Sequence, residues 1–268
     1  MKVAVTGASG FVGRTLGPAL AAAGHETVPV ESANAVVHLA AIAHRHASAE
    51  ELRRVNVDLA VETARKAAAV GASFVFLSSV KVHGESSKSP FREGSPIAPQ
   101  DIYAESKARA EQALRAVAGL RLAVLRPPLV YGPGVKANFL ALMNAVARGV
   151  PLPLASIRNR RSLIYVGNLA DAIIACLGKE GTYLVSDGEP VSTPQLVREI
   201  GEALGRPAHL LPFPTSFLPE KLSGSLELDD SHIRRTLGWK PPFTREQGLR
   251  RTAEWYRNRP LSNFGAGS

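Results

Sequence analysis

Short apolar runs alternate with amphipathic stretches along most of the chain. Residues 2–6, Lys-Val-Ala-Val-Thr, form an apolar run that stops at Gly7, and a helical pattern follows from about Phe11 to Ala23 and ends at Gly24. Further strands are predicted at 25–30, 35–39, 73–77, 122–125 and 182–185, all short and without the alternation of a half-exposed sheet. Helices fit between most of them, at 50–70, 103–118, 138–148, 168–177 and 194–204. This order implies an α/β fold with a doubly wound parallel sheet covered on both faces. After Val150 the strand-helix rhythm is lost and proline becomes frequent between Pro207 and Pro219, which suggests a smaller C-terminal lobe that holds substrate. The last residues, rich in small and polar types, read as a disordered tail.

Composition narrows the class. With 268 residues, 45% of them hydrophobic and 21% charged, the chain can bury roughly 70–75% of its unfolded surface without disulfides or a structural metal. The single cysteine, Cys176, sits in an apolar helical stretch and reads as a small core residue, in keeping with a cytoplasmic protein. Residues 1–7 run straight into a strand with no signal-peptide layout, and no apolar run approaches the roughly 18 residues of a span, so neither secretion nor membrane insertion is expected. Lysine and arginine outnumber acids 32 to 23, a surplus that serves either solubility or an anionic ligand. The arginines at 158, 160, 161, 234, 235, 250 and 251 have no interleaved aromatics, which argues against nucleic acid. His38, His44 and His46 lack a carboxylate at ligand spacing, so no metal is expected. Trp239 and Trp255 read as anchors of the C-terminal lobe's core.

Two segments carry chemistry. In Thr6-Gly7-Ala8-Ser9-Gly10-Phe11-Val12-Gly13, Gly7 permits a tight turn, Gly10 lets backbone N–H groups approach a pyrophosphate, and Gly13 lets the helix pack close to the strand. In Tyr103-Ala-Glu-Ser-Lys107 the spacing of four puts a phenol and an ammonium on one helix face, and a neighbouring cation favours the phenolate that acid-base work requires. Ser78 and Ser79 end the apolar run at 73–77, on the carboxyl edge where doubly wound sheets bind ligands, and Ser79 is placed to hydrogen-bond the oxygen that Tyr103 protonates.

These segments together resemble the extended short-chain dehydrogenase/reductase family, in the branch that epimerises, reduces or dehydrates nucleotide-diphosphate sugars. The resemblance runs through Thr6–Gly13, His38-Leu-Ala-Ala41, Asn56, Phe76-Leu-Ser-Ser79 with Val82 and Gly84, Tyr103–Lys107 with Glu111, Arg126-Pro-Pro-Leu-Val-Tyr131-Gly-Pro-Gly134 and Leu163–Ala172. It implies Ser79, Tyr103 and Lys107 as the catalytic triad, with Asn56 supporting the lysine through water. It implies an NAD or NADP site at Gly7, Ser9, Gly10, Phe11, Val12, Gly13, Arg14, Glu31, Leu39, Ala40, Ala41, Asn56, Ser78 and Arg126. Substrate contacts fall on His83, Asn138 and Arg161, the last two holding the diphosphate of a UDP-linked sugar. A Rossmann domain at 1–134 plus about 162–186, a substrate lobe at about 135–161 plus 187–260 and a tail at 261–268 follow from the same resemblance. So does a homodimer through helices 50–70 and 103–118.

Departures from the family pattern sharpen the expectation. Dehydratases carry an Asp-Glu pair after the catalytic Ser or Thr, where this chain has Val80-Lys81, and galactose-type epimerases carry Arg-Tyr-Phe-Asn where it has Arg126-Pro-Pro-Leu129. The segments 160–168, 222–229 and 237–242 look more like the 4-keto-sugar reductases of surface-polysaccharide genes. Only five residues separate Val30 from Val36, so one strand-helix unit and much of the adenine pocket are expected to be missing. Glu31 stands where an acid reads the adenosine ribose and Arg14 where a cation meets a 2′-phosphate, and the two argue for opposite coenzymes. A trimmed site suits a reductase that exchanges its coenzyme at every turnover. Reduction of an NDP-4-keto-6-deoxy sugar is therefore the leading expectation, a UDP-hexose 4-epimerase the first alternative, and a non-catalytic NAD(P)-binding regulator the second.

Overall fold

The computed structural model describes residues 1–43 and 47–259. His44, His46 and the tail from Pro260 lie outside the described residues.

Strands β1 (Lys2–Thr6), β2 (Glu26–Thr27), β3 (Ala35–His38), β4 (Ser73–Leu77), β5 (Arg121–Arg126) and β8 (Gly181–Leu184) form one six-stranded sheet in the order β2-β1-β3-β4-β5-β8. Every pairing is parallel. Thr6, His38 and Phe76 lie side by side across β1, β3 and β4, so these three strands end together on the carboxyl edge. A parallel sheet must be covered on both faces, which is why its strands are continuous apolar runs. Helices α1 (Phe11–Ala22) and α6 (Val166–Ala175) cover one face, where Leu16, Leu20, Leu169, Ile173 and Cys176 pack on Val3, Val37, Val75 and Leu125. Helices α3 (Leu59–Ala69) and α4 (Ile102–Arg115) cover the other, where Ala60, Ala64, Ala110 and Leu114 pack on Val36, Phe74, Phe76 and Val124.

The missing unit is a property of the sheet. Among the described residues only the two-residue β2 lies outside β1, and seven residues, 28–34, carry the chain past β1 to β3. That crossing hugs the start of β1: Val28 N donates to Val3 O, Asn34 N to Lys2 O, and Lys2 N to Asn34 Oδ1. The apolar run at 25–30 thus yields a shorter strand than its pattern suggests. The stretch at 50–70 is one helical run made of α2 (Ala49–Leu52), a π-helical segment at Arg53–Asp58, and α3.

Beyond the main sheet, β6 (Leu129–Tyr131) and β7 (Leu163–Tyr165) form a two-stranded parallel sheet. Together with α5 (Ala137–Ala147), α7 (Thr193–Leu204) and α10 (Arg245–Asn258) they enclose a separate core around Tyr131, Phe139, Met143, Tyr165, Ile200 and Tyr256. Trp255 packs against that core. The short helices α8 (Glu220–Ser223) and α9 (Ser231–Leu237) come between α7 and α10, and Ile233 of α9 packs into the core beneath α1 and α6. Trp239 is buried in that same core, and its Nε1 donates to Asp171 Oδ1 at 2.8 Å. It fastens the C-terminal segment to the main sheet, which corrects the place expected for it.

Candidate active site

The carboxyl edge of the main sheet brings the glycine loop and the segment after β3 into contact. Gly7 has φ +75°, and a Cβ there would lie 2.7 Å from Ala40 N; a Cβ on Gly13 would lie 2.5 Å from the carbonyl oxygens of Gly7 and Ala8. Only glycine fits at either position. The tight turn ends at the N-terminus of α1, whose capping residue Gly10 has no side chain to occupy the first N–H groups. A cradle with free backbone donors and no room for side chains fits a pyrophosphate. Gly7, Ser9, Gly10, Phe11, Val12, Gly13, Leu39, Ala40 and Ala41 would hold it. Arg14, exposed on α1, lies toward the Gly132–Gly134 turn: a Cβ on Gly134 would be 3.9 Å from its Nη2.

Glu31 lies elsewhere. It sits in a 3-10 turn at Val30–Ser32, three residues before Asn34, which is bonded to the start of β1. Its charge helps raise the Lys66 pKa, second to the hydrogen bond and charge of Glu62, near the C-terminal end of α3. Glu31 is exposed in that turn, beyond the end of β2.

Of the three residues expected to react, Ser79 and Lys107 lie at the end of β4, and Tyr103 lies one turn before Lys107 on α4. Asp101 caps α4, its Oδ1 accepting the Ala104 N–H at 2.7 Å, and Tyr103 is the second residue of that helix. One turn on, buried Lys107 donates from Nζ to Leu77 O at 2.8 Å and lies 4.6 Å over the Phe76 ring, two residues from Ser79. Ser79 Oγ accepts the Lys81 N–H at 3.2 Å. The Tyr103 hydroxyl hydrogen-bonds nothing among the described residues. Burial, and after it the negative charge of Asp101, pushes the Tyr103 pKa up, while burial pulls Lys107 down to about 7 against the opposing charge of Glu111. His38, fully buried between Phe74 and Phe76, is lowered to about 3 by burial first and by Lys107 second; its Nδ1 pairs with Thr6 Oγ1 at 2.9 Å and its Nε2 is unpartnered.

Asn56 lies in the π-helical segment and ties three pieces of this corner together. Its Oδ1 accepts Ile42 N at 2.8 Å, and its Nδ2 donates to Ile42 O at 3.2 Å and to Ser106 Oγ at 2.9 Å; Ser106 Oγ in turn donates to Tyr103 O at 2.7 Å. The π turn widens the helix where that asparagine points inward.

Ser78, His83 and Arg126 form a different group. Arg126 donates Nε and Nη2 to Glu111 at 2.9 and 2.5 Å, and Nη1 to His83 Nε2 and Glu93 O; Ser78 Oγ donates to Glu111 Oε1 at 2.5 Å. His83 Nδ1 pairs with Pro96 O at 3.0 Å. Ser78, His83, Glu111 and Arg126 are all buried. These side chains are engaged inside the protein and brace the floor of the site rather than lining an open cleft. Asn138 is exposed at the start of α5, beside Ala137, whose φ of +51° is a strained left-handed conformation for a residue with a Cβ. Arg161 Nη1 donates to Gly224 O at 2.9 Å; burial lowers its pKa and the Glu85 carboxylate opposes that shift.

One cluster is missed by the sequence pattern. Lys81 Nζ donates to Glu85 Oε1 at 2.9 Å and to Asp101 Oδ2 at 3.0 Å. The i,i+4 spacing of Lys81 and Glu85 is visible in the sequence; the arrival of Asp101 from twenty residues away is not.

A sequence model of the NAD dependent epimerase/dehydratase family matches residues 29–185. A UDP-glucose 4-epimerase from Vibrio cholerae is 41% identical over 255 residues, covering 85% of this chain and 78% of that protein. The chain belongs to the NAD-dependent epimerase/dehydratase family. Among solved structures, a UDP-glucose 4-epimerase from Thermus thermophilus in complex with NAD superposes with a TM-score of 0.80 at 26% identity, over 97% of this chain and 100% of that one. RMD from Pseudomonas aeruginosa complexed with NADPH superposes with a TM-score of 0.84 at 23% identity, over 97% and 98%, and so shares the fold. The protein is thus an NAD-dependent enzyme of this family. Among the described residues no helix is long and apolar enough to cross a membrane, and no three His, Cys, Asp or Glu side chains are grouped to hold a metal ion.

Proposed function

We propose that the protein is a UDP-hexose 4-epimerase acting on substrates of the UDP-glucose type. The observation that carries this reading is the 41% identity to the Vibrio cholerae enzyme. The Ser79–Tyr103–Lys107 corner supports it chemically. Tyr103, with its hydroxyl free, takes the proton of the sugar's C4 hydroxyl and later returns it, while Ser79 hydrogen-bonds the same oxygen. Lys107 supplies the positive charge that favours the phenolate, and Asn56 holds Ser106 and the backbone of Tyr103 in place. A nicotinamide coenzyme, whose pyrophosphate the glycine loop would hold, would supply hydride acceptance and return. Asn138 and Arg161 hold the diphosphate beyond the main sheet. Dehydration is disfavoured, since Val80 and Lys81 offer no acid pair.

The second reading, reduction of an NDP-4-keto-6-deoxy sugar for surface polysaccharide, is favoured by one observation, the trimmed sheet edge outside β1. An adenine site without its outer strand suits a coenzyme that leaves at each turnover. Incubation of the enzyme with UDP-galactose and substoichiometric NAD, with formation of UDP-glucose followed by chromatography, separates the two. Full equilibration supports the epimerase; no conversion, with stoichiometric loss of NADH or NADPH on a UDP-4-keto-6-deoxy sugar, replaces it with the reductase.

A cytoplasmic homodimer completes the reading. Support comes from an open groove of about 650 Å³ between α3 and α4, lined by Val61, Arg65, Ala68, Ala113 and Val117, with Leu59, Val70 and Ile102 exposed on or beside the same helices. Sedimentation equilibrium tests it, and a monomer at micromolar concentration overturns it.

A further inference from the structure

Lys81, in the 3-10 turn at Val80–His83 that follows β4, reaches the start of α4. The Lys81 N–H bonds Ser79 Oγ at 3.2 Å, and its Nζ bonds Asp101 Oδ2 at 3.0 Å; Asp101 Oδ1 holds the Ala104 N–H at 2.7 Å, and Tyr103 lies between those two residues. Glu85, with only a tenth of its side chain exposed, closes the cluster on the other side of Nζ at 2.9 Å. We propose that Lys81 is a positioning residue for Tyr103, clamping the α4 cap against the Ser79 segment and neutralising the Asp101 carboxylate next to the phenol. The inference rests on the reading of Tyr103 as the acid-base.

The physical case has two parts. Lys81 holds two carboxylates that would otherwise face each other, so its removal drives Asp101 away from the cap and moves the first turn of α4. It also balances charge. Asp101 is the negative group that opposes the Tyr103 phenolate, and each step toward neutrality at Asp101 favours ionisation of the phenol. Other titratable groups at this corner are Lys107 and Glu111 on α4, Glu85 after the 3-10 turn at Val80–His83, and His38 at the end of β3, which burial keeps neutral. Arg161 faces Glu85 from beyond, so the cluster reaches toward the residue proposed to hold the diphosphate.

The experiment compares Lys81→Met, Lys81→Arg and Asp101→Asn by the pH dependence of kcat/KM and by phenolate absorbance, taking the difference between each protein and the same protein carrying Tyr103→Phe. Lys81→Met is expected to move the acid limb and the phenolate titration up by about 0.5–1 pH unit and to lower kcat about tenfold, with KM within twofold. Lys81→Arg restores both. Asp101→Asn, which retains a capping side chain, moves the limb down, and it carries the test if Lys81→Met does not fold. An unmoved limb and titration in these variants overturn the proposal even if thermal stability falls. Activity surviving Tyr103→Phe overturns the acid-base reading itself, a different failure.

Discussion

The two sides of β1 are built to different standards. On one side β3, β4 and β5 are fully paired, their carboxyl ends are buried, and Asn56, Ser106, Lys107, Glu111 and Arg126 are locked by hydrogen bonds. On the other side there is one two-residue strand, exposed along its length, and a crossing that turns back before it reaches the carboxyl edge. Acid-base chemistry needs groups held to fractions of an ångström, whereas a coenzyme's adenosine half needs only to be gripped. On the proposed reading the chain has kept the first and shortened the second.

The strongest way to break this contrast is at the well-built corner. Tyr103→Phe is expected to lower kcat about a thousandfold with the fold intact, as measured by turnover and circular dichroism. Retained turnover would show that the ordered side of the sheet does not carry the chemistry. Glu111→Leu leaves the buried Arg126 guanidinium unpaired and is expected to destabilise the protein by about 3–5 kcal/mol in urea unfolding, since both partners lie in the interior. A small effect there would mean that the network beneath the site is dispensable.

pH sharpens the same contrast. The unfolded chain protonates its histidine near 6.5, while burial keeps His38 neutral in the fold until about 3. The unfolded state therefore binds the extra proton in that window, and stability falls with falling pH by about 1.4 kcal/mol per unit on account of this one group. Removing the imidazole with His38→Gln should flatten that part of the stability curve. The smallest effect is expected on the trimmed side. Glu31→Ala should change the NAD to NADP preference less than about twofold and stability by less than about 0.5 kcal/mol, because the residue is exposed after a two-residue strand and its charge acts on Lys66 of α3. A shift of about tenfold in coenzyme preference would return Glu31 to the adenosine site.

What could be read in advance follows from the range of the forces involved. The glycine turn, the β4 run at Ser73–Leu77 and the helix expected at 103–118, found as α4, depend on residues within a few positions of one another, and their patterns are legible. The π segment at Arg53–Asp58 is not, because a single widened turn leaves the helical periodicity of 50–70 almost unchanged. The three-residue β6 and β7 are also hidden, since each is defined by the other across more than thirty residues.

The linear order of residues is enough to set the alternation that makes a parallel sheet, the glycines that clear the cradle, and the phenol and ammonium one helical turn apart. Which charges meet depends on the folded chain: Lys81 with Asp101, Glu111 with Arg126, and Glu31 with Lys66. Local patterns are set by backbone geometry and the spacing of apolar side chains, which the chain carries everywhere. Pairing of buried charges is set by which strand ends come together, and that is settled only when the sheet has formed.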